Sequence, residues 1–235
     1  VNRIVEPVPV PIVDRYGLDT AYYARCIVVD GIPVLGSRRT GDTALDRAAA
    51  VVGTLNRARG IDVPGALSAR RVRVAIVGAG ETLRALPEVR AAFGDDLDGV
   101  DRRYWGGFGA THALPLCVGT EANLVGGEGG ENVFVHEYAH TVMDLGLRVR
   151  DPRVLRALDD AYEDAKRRGL WPRTYAISNR SEYWAEGVQS YFDVNRAGPT
   201  GGDGVHNDIA TKARLAAYDP PLFRLIDRFY RGARL

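Results

Sequence analysis

"ENVFVHEYAHTVMDLG", residues 131–146, carries two of the chain's four histidines, with a glutamate beside the first. Val133, Phe134, Tyr138, Val142 and Leu145 recur at helical spacing and Gly146 offers a stop, so the pattern predicts a helix over 131–145. Positions i and i+4 of a helix share one face, so His136 and His140 present their imidazoles to one point with Glu137 beside it. Two neutral imidazoles fill two of the four places around a tetrahedral zinc ion, and a catalytic ion needs a third protein ligand and an open place for water. A chance pair of histidines on an amphipathic helix is the competing reading, and the adjacent glutamate weighs against it. The third ligand has to come from elsewhere in the chain.

"TYAISNRSEYWAEGVQSYF" (174–192) offers candidates for it. The stretch runs from a loop into a helix, with Asn179 or Ser181 as cap and with Glu182 and Glu186 one turn apart on one face. One carboxylate can complete a zinc shell while the other accepts a hydrogen bond from a liganding histidine and fixes its tautomer. A lone pair of glutamates is more often a solvated helix face. Here Trp184, Val188, Tyr191 and Phe192 give the helix an apolar side that must dock against something.

"HEYAH", then "EYWAE" after a gap of 41 residues, with Tyr175 seven positions before the first of those glutamates, resembles the gluzincin zinc metallopeptidases. Within them it is most similar to the group of the anthrax lethal factor catalytic domain and the Pro-Pro endopeptidases, over roughly residues 131–192. The resemblance implies a zincin-like fold in which His136, His140 and Glu182 bind zinc and Glu137 activates a water. It further implies that Glu186 supports a liganding histidine and that Tyr175 reaches the substrate carbonyl or leaving group. The N-terminal half, from "YYARCIVVDGIPVLGS" onward, resembles predicted zinc proteins of bacteria and fungi. The large accessory domains of the toxin have no counterpart in these 235 residues, so its specificity is not carried over.

The chemistry follows from the residues as well. Zinc lowers the pKa of its water and polarises a carbonyl, Glu137 takes the proton and delivers it to the leaving nitrogen, and Tyr175 donates to the oxyanion unless it is a structural tyrosine. The expected activity is zinc-dependent cleavage of a peptide or amide bond in a peptide or small amide-containing substrate. The alternatives are a zinc-dependent tailoring enzyme for a small metabolite on the same scaffold, or a non-catalytic zinc-binding protein. Glu137 weighs against the last, because a structural site needs no base. Of the other histidines, His112 stands in a glycine-rich loop and His206 in "GVHND". Both are possible substrate-binding residues, His206 the better placed of the two to stabilise an oxyanion.

The remainder of the chain reads as one α+β domain over 1–235: an extended arm (1–14), a lobe of mixed sheet with helices (about 15–146) and a helical lobe (about 147–235), with the zinc in the cleft between. "VEPVPVPIVD" (5–14) is the proline-rich arm. Asp30-Gly31 in "CIVVDGIPVL" marks a hairpin. Leu45, Ala48, Ala49, Val52 and Leu55 mark a helix capped by Asp42 and stopped at Gly60, and "RVRVAIVG" (71–78) a strand. Residues 94–130 read mainly as loop with a strand at Leu114–Val118, and Thr111–Gly119 as an edge strand beside the metal. Helices follow at about 152–168, 179–195 and 207–232, the last broken at 218–221.

"VAIVGAGETL" (74–83) imitates a dinucleotide-binding turn through Gly78 and Gly80. Leu83 takes the place of the third glycine, and Asp95, Asp96 and Asp98 sit in a polar loop instead of ending a second strand. Lys plus Arg is 31 against 30 Asp plus Glu, which gives no basic face for nucleic acid. Apolar runs are far shorter than the roughly 20 residues of a membrane span, so the expectation is a soluble chain, cytoplasmic or secreted after signal removal. Composition leaves the oligomeric state open, and a bridge between Cys26 and Cys117 as well.

Overall fold

A computed structural model describes residues 3–94, 99, 106–126 and 130–235. The hairpin forms where Asp30-Gly31 predicts it. Strands β1 (Arg25–Val29) and β2 (Ile32–Gly36) pair antiparallel with Val29 opposite Ile32. The two turn residues have φ of 50° and 81°, the left-handed pair that a two-residue hairpin turn requires. The chain then passes through helices α2 (Asp42–Asn56) and α3 (Val63–Ala69), preceded in the chain by α1 (Val10–Tyr16), into β3 (Arg73–Val77). After α4 (Pro87–Phe93) come β4 (Gly107–Phe108) and β5 (Leu116–Thr120). The five-stranded mixed sheet has the order β1-β2-β3-β5-β4, with β2, β3 and β5 parallel and both outer strands antiparallel to their neighbours.

Alternation along the strands sorts their side chains into two cores. Val74, Ile76 and Cys117 pack with α2 on one face, and Ala75, Val77, Leu116 and Val118 pack with Tyr16, Tyr23 and Leu86 on the other. Arg73, buried at the start of β3, is held by two 3.0 Å hydrogen bonds to Glu88. Helices fill the second half of this α+β chain: α5 (Glu121–Gly126), α6 (Val133–Thr141), α7 (Arg153–Arg167), α8 (Arg180–Tyr191), α9 (Lys212–Tyr218) and α10 (Pro220–Tyr230). The larger core runs through both halves of the sequence, from Ile27 to Tyr230, and Tyr230 donates to the carbonyl of Leu55 at 3.0 Å. Among the described residues no helix is long and apolar enough to cross a membrane.

Several expectations need correction. The arm of residues 1–14 is extended only at its start: Val5 bridges to Cys26, and after the extended Pro9 the chain enters α1 with Pro11 in its first turn, where proline is tolerated. Residues 1 and 2 lie outside the described residues. Gly41, not Asp42, is the cap of α2, and the helix ends at Asn56, before Gly60. The strand expected at Leu114–Val118 sits two residues later, and Thr111–Gly119 is not the edge: β5 is flanked by β3 and by β4, with Leu116, Cys117 and Val118 fully buried. The two-residue β4 was too short to leave a periodic signal. The helix after Asn132 does not stop at Gly146 but continues through a wider π turn (Val142–Leu147) to Arg148–Arg150. Gly146 serves packing there, since a Cβ would come within 3.0 Å of Val63. The last helices begin at Lys212, five residues later than expected from 207.

Cys26 and Cys117 are buried and unbridged. They face opposite cores and lie three strand spacings apart, ~14 Å, beyond the reach of a disulfide. In the loop that imitates a nucleotide site, the amide of Gly78 donates to Glu81 (3.0 Å) and that of Ala79 to Glu121 (3.1 Å). Carboxylates of the chain itself occupy those donors. Asp95, Asp96 and Asp98 lie outside the described residues.

Candidate metal centre

Helix α6 begins where two asparagines satisfy its free amides. Asn132 Oδ1 accepts from Val135 N (3.2 Å), and Asn123 Oδ1 accepts from Val133 N (2.8 Å). Asn179 caps α8 in the same way, accepting from Ser181 N and Glu182 N at 2.9 and 3.1 Å. Glu182 therefore sits in the first turn of α8, where the helix dipole favours a carboxylate. The two helices are registered by Trp184, whose buried indole donates to the carbonyl of Ala139 at 3.0 Å.

That register brings the three expected ligands together. His136 Nε2 lies 2.8 Å from Glu182 Oε2, His140 Nε2 lies 3.1 Å from the same oxygen, and the two Nε2 atoms are 3.0 Å apart. Tetrahedral zinc with nitrogen and oxygen ligands asks for donors spaced about 3.3 Å apart. The observed triangle is a few tenths of an ångström tighter, so the donor set fits one small ion. Three donor atoms this close need a cation or a proton between them. Burial alone would depress the His136 imidazole, but its hydrogen bond to Glu182 and the charges of Glu137 and Glu186 lift it to about 9. Burial would raise Glu182, and the two imidazoles outweigh it and hold the carboxyl well below the usual carboxylate range.

Behind these residues Gln189 comes nearer to His136 than Glu186, the expected partner, does. His136 Nδ1 is 2.9 Å from Gln189 Oε1 but 3.5 Å from Glu186 Oε1. Gln189 Nε2 donates to Glu131 Oε1 (3.0 Å) and to the carbonyl of Asn132 (3.1 Å). Those two bonds fix the amide's orientation, so its oxygen can only accept. Nδ1 then carries the proton and Nε2 is free to bind a metal. Gln189 lies on the same helix face as Glu186, one turn on, and comes nearer to the ring. Glu186 is almost fully buried and accepts from Asn195 Nδ2 at 2.9 Å. Burial pushes its carboxyl up.

Glu137 and Tyr175 line the same cleft, of about 1550 Å³, as the three ligands. The Tyr175 ring stacks on His136 with centroids 6.1 Å apart, and burial together with Glu182 raises the pKa of its hydroxyl, which stays protonated. The chain from Gly106 to Thr111 also lines the cleft. It is tied to α6 through Thr141, whose hydroxyl accepts from Ala110 N (2.8 Å) and donates to the carbonyl of Glu137 (3.1 Å). Gly109 permits this approach: a Cβ there would lie 2.9 Å from both the Glu137 carbonyl oxygen and His140 Cβ.

The other two histidines part company. His206 lines the cleft, but its Nε2 is 3.3 Å from Glu131 Oε2 and its Nδ1 3.9 Å from Glu186 Oε2, so both nitrogens face carboxylates. His112 is exposed on the bend before β5, with Thr111 and Ala113 on either side of it lining the cleft. Gln189, Thr141, Asn123 and Asn195 were not expected from the sequence, since an amide or hydroxyl carries no motif until its partner is known. Comparison of the chain with protein-family models, with curated proteins and with solved structures gives no match. The likeness to the gluzincins therefore rests on the motif residues themselves.

Proposed function

We propose that this chain is a zinc-dependent hydrolase of peptide or amide bonds, built on a zincin-like fold. The observation that carries this reading is the convergence of His136, His140 and Glu182 on one point of a cleft that Glu137 and Tyr175 also line. Two imidazoles and one carboxylate are a donor set suited to catalytic zinc. Zinc held there would polarise a carbonyl and acidify water. Glu137 takes the proton of the attacking water and passes it to the leaving nitrogen. Tyr175, protonated at its hydroxyl, donates to the oxyanion that develops. Gln189 keeps the proton of His136 on Nδ1.

The size of the cleft favours a polypeptide over a small metabolite. Its volume of about 1550 Å³ exceeds the ~300–1,000 Å³ of pockets that enclose small ligands.

Glu137→Gln tests the reading, because the amide keeps size and hydrogen bonding but cannot take the proton. The variant is expected to keep zinc and fold and to lose about 10²–10⁴-fold in hydrolysis of a responsive member of a peptide library. Tyr175→Phe is expected to cost about 10–10³-fold. Near-full turnover by Glu137→Gln would remove the proposal.

A further inference from the structure

We propose that Glu131, Glu186 and His206 form a second site, on the Nδ1 side of His136, for a divalent cation of the first transition row. One donor atom from each of the three lies within 4.8 Å of the others. Glu186 and His206 are buried, exposed by 3% and 7%, and Glu131 is half-buried. What distinguishes it from an ordinary acidic cluster is His206 Nδ1, a buried ring nitrogen without a hydrogen-bond partner, 3.9 Å from Glu186 Oε2. A buried nitrogen with nothing to bind is a costly feature in a folded chain, and a cation among the three removes the cost.

The surroundings suit a metal. Gln189 Nε2 holds Glu131 Oε1 and Asn195 Nδ2 holds Glu186 Oε2, so each carboxylate is oriented by an amide donor, as ligands around an ion are. His206 is fixed through its backbone, where its N–H donates to Asp203 Oδ1 at 2.8 Å. The ion pairs of Glu131 and Glu186 among the described residues are with histidines alone. All three side chains line the cleft, which gives an ion its entry path. Two carboxylates and one imidazole suit manganese, iron or zinc better than calcium, which prefers oxygen throughout. The competing occupant is a proton, which would make His206 an imidazolium bridging the two carboxylates.

The experiment counts metal. Protein stripped with a chelator is titrated with Zn²⁺, and separately with Mn²⁺, and the equivalents retained after desalting are measured by mass spectrometry, with circular dichroism reporting the fold. The expected result with Zn²⁺ is two equivalents for the wild type and one each for His206→Ala and Glu131→Gln. Mn²⁺, followed by its paramagnetic resonance, should lose its signal in the same two variants. His140→Ala, which breaks the first set alone, should keep the second equivalent, so failure of the hydrolase reading and failure of this one are told apart. Should His206→Ala not fold, Glu131→Gln, which keeps the size of the side chain, decides. Folded His206→Ala or Glu131→Gln protein that keeps as many equivalents as the wild type, or folded His140→Ala protein that keeps none, overturns the proposal.

Discussion

Asp219 and Glu186 are both buried in the helical half of the chain, and the fold treats them in opposite ways. Asp219 is fully buried, and both its oxygens are filled: Oδ2 accepts from the Trp171 indole (2.9 Å) and the Tyr183 hydroxyl (2.7 Å), and Oδ1 from the amide of Leu222 (3.2 Å). Glu186, only slightly less buried, has Asn195 on one oxygen and the 3.5 Å approach of His136 on the other. The first network is closed and faces the core between α8 and α10. The second is open and borders the cleft. A closed network fixes where helices lie, and an open one keeps capacity for something that arrives later.

The largest effect is expected at the ligands: His136→Ala or His140→Ala should abolish binding at the first site, because two protein ligands do not complete the shell. Metal analysis of the folded variants measures it, and Glu182→Ala should behave nearly as badly. The next effect is at the closed network. Asp219→Ala leaves an indole, a hydroxyl and a helix amide without their acceptor, a loss of about 3 kcal/mol. Denaturant unfolding should show it, with metal affinity of the folded protein little changed; equal damage to metal binding would merge the two networks into one.

A third, smaller effect sharpens the open network. Gln189→Leu removes the acceptor of His136 Nδ1 and should weaken metal binding by about 10–100-fold. Glu186→Gln, farther from the ring, should weaken it less. The reverse order would return to Glu186 the supporting role that the motif implied. The smallest effect is that of pH. His136 titrates at about 9 in the metal-free fold, raised from its ordinary 6.5 by Glu182 and the nearby carboxylates against the opposing pull of burial. Its contribution to the metal-free fold is therefore complete below pH 6.5 and lost as pH rises through about 9. A metal must displace that proton, so affinity at the first site should rise with pH over this window, by at most about tenfold per unit. Flat affinity between these limits would mean that His136 is already neutral.

The elements that the sequence revealed are those with a local signature. Asp30-Gly31 gave the hairpin, the apolar run after Arg73 gave the central strand, and His136, Glu137 and His140 stood on a helix as their spacing required. The meeting of those histidines with Glu182 came from resemblance, because nothing local fixes how α8 docks on α6; the Trp184 indole does, across 45 positions. Gln189 and Thr141 were illegible for the same reason. The edge strand was misplaced because two residues of pairing are set by the neighbouring strand and carry no alternation of their own. Gly146 misled because a helix stop and a packing site have the same symbol in a sequence.

Gly109 has one more consequence. With Gly109 set against the Glu137 carbonyl and His140 Cβ, and the Ala110 amide on the Thr141 hydroxyl, not even a methyl group fits between the cleft wall and the histidine helix. The width of the cleft beside the two imidazoles is gauged by a missing Cβ, and any larger residue at position 109 would wedge wall and helix apart.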